Sequence, residues 1–360
     1  QASAPGALQV WCAACPRPAA TLLPLAMQPE DQHEMPDAQG EPPMEKSHSG
    51  GLPLRFGLDL FKGFDPSAVT VEPVEPVDRD FGPFGGRCLL LRNVLSPEEC
   101  ALLIREMGAE MEPVRYRQDY RCNDRCIFES PGLAQLLWSR IQPVAERLVL
   151  CVDPDPCRQR LLAEGSEQGL QELASCPDEL RVGYGREGVW RPVGLNECLR
   201  FCRYTPGGFF RAHCDACFER SEDEQSLFTC MFYLDGGMEG GATRFMRIDG
   251  CLTQENYLKL AADDQVLASV APEPGLCILF FQPGLLHEGE DMRGGVKHIL
   301  RTDVMYRRDP ATKPQRTPEQ VRAMECLRQA EAAEIAGEYD RAAGLYRRAF
   351  KLDPALERMC

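Results

Sequence analysis

From residue 196 onward the apolar positions come in short runs, broken by turns that carry glycine. "ECLRFCRYTPGGFFRAHCD" reads as a strand, a Pro-Gly-Gly turn and a second strand. "SLFTCMFYLDGG", "GGATRFMR", "GLCILFFQ" and "KHILRTDVMYRR" each read as one more. Six short strands with this spacing predict a β-sandwich or barrel. Upstream, "CLLLRNVL" reads as a buried strand. Ser96-Pro97-Glu98-Glu99 then supplies an N-cap, a proline at the first helical position and an acidic first turn. Apolar residues at 101 to 104 carry that helix toward Met107. A second helix covers "SPGLAQLLWSRIQPVAERL", with Pro143 expected to kink or end it. The helices precede the sheets and are expected to brace one of them. The class is mainly β with flanking helices (α+β).

The two ends of the chain follow other patterns. Residues 1–80, with "MQPEDQHEMPDAQGEPPMEKSHSGG" at their centre, are rich in Pro, Gly, Gln and acids. Such a segment buries too little apolar surface to offset its ordering entropy and is expected to be mostly disordered. His33 and His48 lie in it and are expected to be solvated and unliganded. Residues 318–360 predict a helical hairpin in which Gly337, Tyr339, Ala342, Tyr346, Ala349 and Pro354 resemble one tetratricopeptide repeat. A solenoid needs about three repeats. The hairpin is therefore expected to pack on, or be tethered to, a main domain at 81–310, with binding of a protein partner as the alternative.

Composition narrows the partners. At 44% hydrophobic and 26% charged residues the chain reads as a soluble globular protein. A formal net charge of -15 argues against nucleic acid held by phosphate contacts and against anionic membranes. No apolar run approaches the ~18 residues of a membrane span. The 18 cysteines are scattered. The CxxC pairs Cys12/Cys15 and Cys214/Cys217 lie too far apart in the chain for a ribbon- or finger-like zinc site. Reduced, mostly buried thiols in a reducing compartment are expected, with cytoplasmic residence favoured. "VWCAACPRPAATLLPLAM" lacks a basic flank and reads poorly as a signal peptide; a chain opening on Gln1 leaves room for an upstream targeting segment.

The candidate chemistry centres on the few histidines. There are five, and "FFRAHCDACF" sets His213 two residues before Asp215. On a strand the two share a face. His287 follows the strand "GLCILFFQ" and a Pro-Gly turn. Two histidines and one carboxylate on one face of a metal form the facial triad of non-haem Fe(II) oxygenases; zinc and manganese also accept such a set. The bare pattern is unspecific, and its surroundings narrow it.

"LRFCRYTPGGFFRAHCD", "FTCMFYLDGGMEGGATRF" and "PGLCILFFQPGLLHEGEDMRGGVKHILRTDVMYR" together resemble the Fe(II)- and 2-oxoglutarate-dependent dioxygenases of the prolyl 4-hydroxylase-like family. The likeness covers about residues 85–308 and is specific from 196. It implies a double-stranded β-helix (jelly roll) core at about 196–308, with His213, Asp215 and His287 as iron ligands. It implies Lys297, ten residues past His287, as the cation for the distal carboxylate of 2-oxoglutarate; Arg301, of the same strand parity, is the alternative. Tyr204, Tyr233 and Thr243 would line the co-substrate pocket. His298 falls on the opposite face and is expected to be structural. Related radical halogenases carry a small residue where this chain has Asp215, so the carboxylate implies hydroxylation.

The reaction implied is oxidative decarboxylation of 2-oxoglutarate by O2 to succinate and CO2, coupled to hydroxylation of an unactivated C–H bond, with L-ascorbate restoring oxidised iron. The family name suggests a peptidyl proline or another protein side chain as substrate. The acidic loop "FERSEDEQS" beside the site would favour a basic peptide, a solvated loop being the plainer reading. The rival class is a non-catalytic jelly-roll binding protein acting through its helical tail. A lost ligand or a missing basic residue would mark it, and neither is lost.

Overall fold

In the computed structural model of the chain, residues 69–73, 88–108, 111–115, 117–152, 187–246, 258–282, 285–354 and 356 are described. Eight strands build the core: β1 (Cys198–Tyr204), β2 (Phe209–His213), β3 (Glu224–Tyr233), β4 (Thr243–Met246), β5 (Val266–Val270), β6 (Cys277–Phe281), β7 (His287–Gly289) and β8 (Lys297–Arg308). The larger sheet contains the order β6-β3-β8-β1 and the smaller one β5-β4-β7-β2. Successive strands cross from one sheet to the other, except that β4 and β5 pair directly. This winding is the double-stranded β-helix. Thr70–Pro73, Cys88–Arg92, Asp124–Glu129 and Gly188–Leu195 extend the larger sheet, and Arg121–Cys122 extends the smaller one beside β2.

Strand alternation sorts the side chains into two cores. Leu199 and Phe201 of β1, Phe228, Cys230 and Phe232 of β3, and Leu300 and Val304 of β8 face the helices. Their neighbours Cys202 and Tyr204, Met231 and Tyr233, and Ile299 face the space between the sheets. The larger sheet is thus covered on both faces, which explains why β3 and β6 are almost continuously apolar rather than alternating. The same parity turns Lys297 and Arg301 inward with Ile299.

Two helices cover the outer face. α1 (Pro97–Met107) starts at Ser96, whose hydroxyl accepts from the Glu99 N–H while the Glu99 carboxylate accepts from the Ser96 N–H, a complete capping box. α2 (Pro131–Ala145) packs Leu133, Leu137 and Ile141 inward. Pro143 does not end this helix at once: it falls in the last turn, where its missing N–H costs one hydrogen bond, and the helix closes two residues later. Arg140 ties the helices together, donating to both Glu99 carboxylate oxygens at 2.8 and 2.7 Å and to the Val94 carbonyl at 2.8 Å.

Three boundaries differ from the sequence reading. β5 and β7 bring the core from six strands to eight. "VLASV" is short and follows an acidic turn, while "HEG" is three residues defined only by its pairing with β4 and β2. Thr70–Pro73, within the stretch expected to be disordered, pairs antiparallel with Cys88–Arg92. Residues 1–68, including Cys12, Cys15, His33 and His48, lie outside the described residues.

The helical hairpin forms as α3 (Pro318–Ile335) and α4 (Tyr339–Leu352). Gly337 makes the turn at φ 74°, a conformation that favours glycine. Ala323, Cys326, Leu327, Ala349 and Leu356 give the hairpin a small core of its own. Among the described residues no helix is long and apolar enough to cross a membrane.

Candidate metal centre and co-substrate pocket

β2 and β7 are neighbours in the smaller sheet, and their register sets His213 directly opposite His287. The imidazole centroids are 4.3 Å apart. Asp215, just past the end of β2, brings its carboxylate between them: His213 Nε2 lies 3.7 Å from Oδ1 and His287 Nε2 3.6 Å from Oδ2. One ligand atom from each residue falls within 4.8 Å of the others.

Backbone carbonyls choose the tautomers. His213 Nδ1 is 2.8 Å from the Arg211 carbonyl, and His287 Nδ1 is 3.0 Å from the Leu285 carbonyl. A carbonyl oxygen only accepts, so each Nδ1 carries the hydrogen and each Nε2 keeps its lone pair toward Asp215. Burial lowers the pKa of both imidazoles, which favours the neutral form a metal needs. Burial raises that of Asp215, but Arg301 and the two histidines outweigh it and hold the carboxyl well below the usual range. Arg301 Nη2 is 3.0 Å from Oδ1, and the Thr229 hydroxyl donates to Oδ2 at 2.6 Å. Phe210 stacks on His213 at 3.6 Å and Phe280 meets His287 edge-on at 4.7 Å, so neither ring is free to turn. Two neutral nitrogens and one ionised oxygen, converging without a thiolate, are a donor set that fits Fe(II) and also accepts manganese or zinc.

Lys297 stands opposite Tyr204 in the β8–β1 register. Its buried ammonium donates to the Gly241 carbonyl at 2.6 Å and lies 5.3 and 5.5 Å from the ring centres of Tyr204 and Tyr233. Burial pulls its pKa down to about 8 and pushes the Tyr204 phenol up to about 12. Tyr204, Thr243, Lys297 and Arg301 line one cavity with the three metal-site residues. Tyr233 sits a layer behind, its hydroxyl donating to Thr243 Oγ1 at 2.6 Å. His298 points the other way and pairs with Asp235 at 2.6 Å, the structural place expected of it.

Sequence reading missed several participants. Thr229 orients Asp215 from β3. Asp303 on β8 accepts from Gln282 at 2.8 Å and Asn196 at 3.3 Å, and lies 3.4 Å from Arg200 and 3.6 Å from Arg301. Arg121, from a strand well upstream of the motifs, lines the cavity because it pairs with Phe210 across the sheet. No local pattern marks these residues. The acidic loop also changes meaning. Glu222 pairs with Lys313 and Arg316, Asp223 with Arg308 and Lys313, and Glu224 with Arg220 and Arg307. Three of its four acids are paired within the chain, which weakens the reason to expect a basic peptide there.

A family model described as the 2OG-Fe(II) oxygenase superfamily matches residues 199–302. That stretch contains His213, Asp215, His287, Lys297 and Arg301. Among solved structures the chain is similar to a Pseudomonas putida prolyl-4-hydroxylase, with 20% identity over 62% of this chain and 93% of that one and a TM-score of 0.34. It is similar to the viral collagen prolyl hydroxylase of Paramecium Bursaria Chlorella virus-1 in a 2OG complex, with 19% identity, 61% and 96% coverage and a TM-score of 0.33. A Trichoplax adhaerens prolyl hydroxylase, solved in complex with a hypoxia inducible factor peptide fragment, shows 14% identity, 63% and 85% coverage and a TM-score of 0.33. No curated protein matches the chain.

Proposed function

We propose that this chain is a Fe(II)- and 2-oxoglutarate-dependent dioxygenase that hydroxylates an unactivated C–H bond, with a peptidyl proline or another protein side chain as its target. The convergence of His213, Asp215 and His287 beside the buried Lys297 in one cavity carries the reading.

His213 Nε2, His287 Nε2 and the Asp215 carboxylate would hold the metal. When bound, Fe(II) with 2-oxoglutarate and O2 supplies the oxidative decarboxylation to succinate and CO2 that drives hydroxylation, with L-ascorbate as the reductant. The chain's own residues prepare that chemistry. Arg301 and Thr229 fix the carboxylate, so that little reorganisation is needed on metal binding. Lys297 would exchange its bond to the Gly241 carbonyl for the distal carboxylate of 2-oxoglutarate, a charge-assisted contact strengthened by burial. Tyr204 would flank that carboxylate, and the Tyr233–Thr243 pair would back it. Phe210 and Phe280 keep water from the imidazoles.

The test is succinate formation by the full chain with Fe(II), ascorbate and 2-oxoglutarate, with calorimetric 2-oxoglutarate binding to the Mn(II)-loaded protein beside it. Binding together with slow uncoupled turnover is expected. A chain that binds neither metal nor 2-oxoglutarate is instead a jelly-roll binding protein acting through its hairpin.

A further inference from the structure

Among the described residues the cavity wall carries four cations, Arg121, Arg200, Lys297 and Arg301, against the carboxylates of Asp215 and Glu288, with Asp303 just behind the wall answering Arg200 and Arg301, so that one positive charge remains in excess. In a chain of net charge -15 this is a local reversal of sign. A divalent metal and dianionic 2-oxoglutarate balance each other, so loading the site leaves the wall's positive excess in place. Burying such an excess is costly, and an anionic group that enters with the substrate offsets it.

Geometry selects the cation. Arg301 is engaged with Asp215, Arg200 reaches Asp303, and Lys297 lies deep between Tyr204 and Tyr233. Arg121 approaches the cavity from the side of β2, across the sheet from Phe210. It is 3% exposed, and its guanidinium carbon lies 4.2 Å above the ring of Phe210, which also stacks on His213 and meets Tyr120 edge-on. Its Nε donates to Asn123 Oδ1 at 2.7 Å and its Nη2 lies 3.8 Å from Cys202 Sγ, which aim the planar fork from the side of β2. A ligand held by that fork is one aromatic ring away from a metal-site imidazole. Planar, bidentate recognition of a carboxylate is what a guanidinium does better than an ammonium.

We propose that Arg121 receives a carboxylate of the prime substrate, so that the carbon to be hydroxylated lies beside an acid: a peptide carboxy terminus or an acidic side chain. This rests on the dioxygenase reading above and narrows its substrate class. Arg121 lies outside the matched segment 199–302, so it is the feature through which this chain would set its own specificity.

The experiment titrates the full chain, loaded with Mn(II) and 2-oxoglutarate, with N-acetyl amino acids as free acids and as the matching methylamides. N-acetyl aspartate and glutamate methylamides carry the acid on the side chain instead. The wild type is expected to bind acids roughly tenfold or more tighter than amides, the range of one charge-assisted hydrogen bond. Arg121→Met should erase that preference and Arg121→Lys retain part of it. Whether α-carboxyl or side-chain acids bind tighter separates a chain terminus from an acidic residue. Equal binding of acids and amides by the wild type, binding of neither, or an unchanged preference in Arg121→Met overturns the proposal. So does a loss of 2-oxoglutarate affinity in both Arg121 variants, which would make this a co-substrate residue. A wild-type chain that fails to bind 2-oxoglutarate sinks the dioxygenase reading itself, a distinct result.

Discussion

Arg301 Nη2 and Asp215 Oδ1 lie 3.0 Å apart, although Arg301 is on the larger sheet and Asp215 just follows β2 of the smaller one. The pair separates two cations that share a strand face. Arg301 is committed to the Asp215 carboxylate, which leaves Lys297 as the cation proposed for the co-substrate.

Replacing Arg301 with Met should therefore act on the metal. Arg301 keeps the Asp215 pKa low. Without it burial raises that pKa, and protons compete with the metal at a higher pH than in the wild type. Mn(II) titrations across the acidic range should show occupancy lost earlier on acidification. Identical pH profiles for the two proteins would contradict the assignment.

Lys297→Ala should raise the apparent 2-oxoglutarate Kd ten- to a hundredfold, because a charge-assisted hydrogen bond of about 1.5–3 kcal/mol is lost. Arg301→Ala should change it less. Calorimetric titration of both variants, with Mn(II) saturating, reads the difference. If Arg301→Ala shows the larger loss, the clamp is misassigned.

The same lysine predicts a pH dependence. Only the ammonium pairs with a carboxylate, and burial holds Lys297 in the free protein at about 8. Below that pH affinity should be flat. Above it the proton must be taken up on binding, so affinity should fall roughly tenfold per pH unit. Lys297→Arg should keep affinity level to higher pH, since a guanidinium stays charged. A wild-type profile flat through pH 9.5 would rule out this role for the lysine.

His213→Ala or Asp215→Ala should abolish succinate formation and metal retention while the chain still folds, with the metal-free Asp215→Ala unfolding at the lower temperature because it removes the carboxylate paired with the partly buried Arg301 guanidinium. The buried clusters that hold the sheets and helices together do not include these three residues. Turnover at the wild-type rate in either variant would remove the residue from the ligand set.

Arg140→Ala tests the brace rather than the site. It strands the Glu99 carboxylate, which is paired with Arg140 at 2.7 Å beside the buried end of α1. Breaking a buried pair from one side costs about 3–5 kcal/mol. Chemical denaturation should report a loss of that order, and a loss below about 1 kcal/mol would place the pair among ordinary surface bridges.

At the amino-terminal end, removing residues 1–68 should leave 2-oxoglutarate binding unchanged. Removing residues 1–75 also deletes the strand paired with Cys88–Arg92 and should lower Tm, by about 2–4 °C for each kcal/mol lost. Equal Tm values for the two truncations would show that this pairing adds no stability.

Much of this molecule was legible from local pattern. Ser96 and Glu99 announced the start of α1, since a capping box involves residues three apart. The spacing of His213 and Asp215, and the parity that turns Lys297 and Arg301 inward and His298 outward, follow from the two-residue repeat of a strand. What escaped were relations between strands. β7 exists only because β2 and β4 flank it. Arg121 reaches the cavity only because its strand pairs with Phe210, and the acidic loop loses most of its free charge only because residues 307–316 fold back onto it. Which of two inward cations meets Asp215 was likewise beyond reach. A chain's alternation is written residue by residue, whereas register and partner choice are set by the packing of segments far apart in sequence, and that packing is decided only when the whole barrel closes.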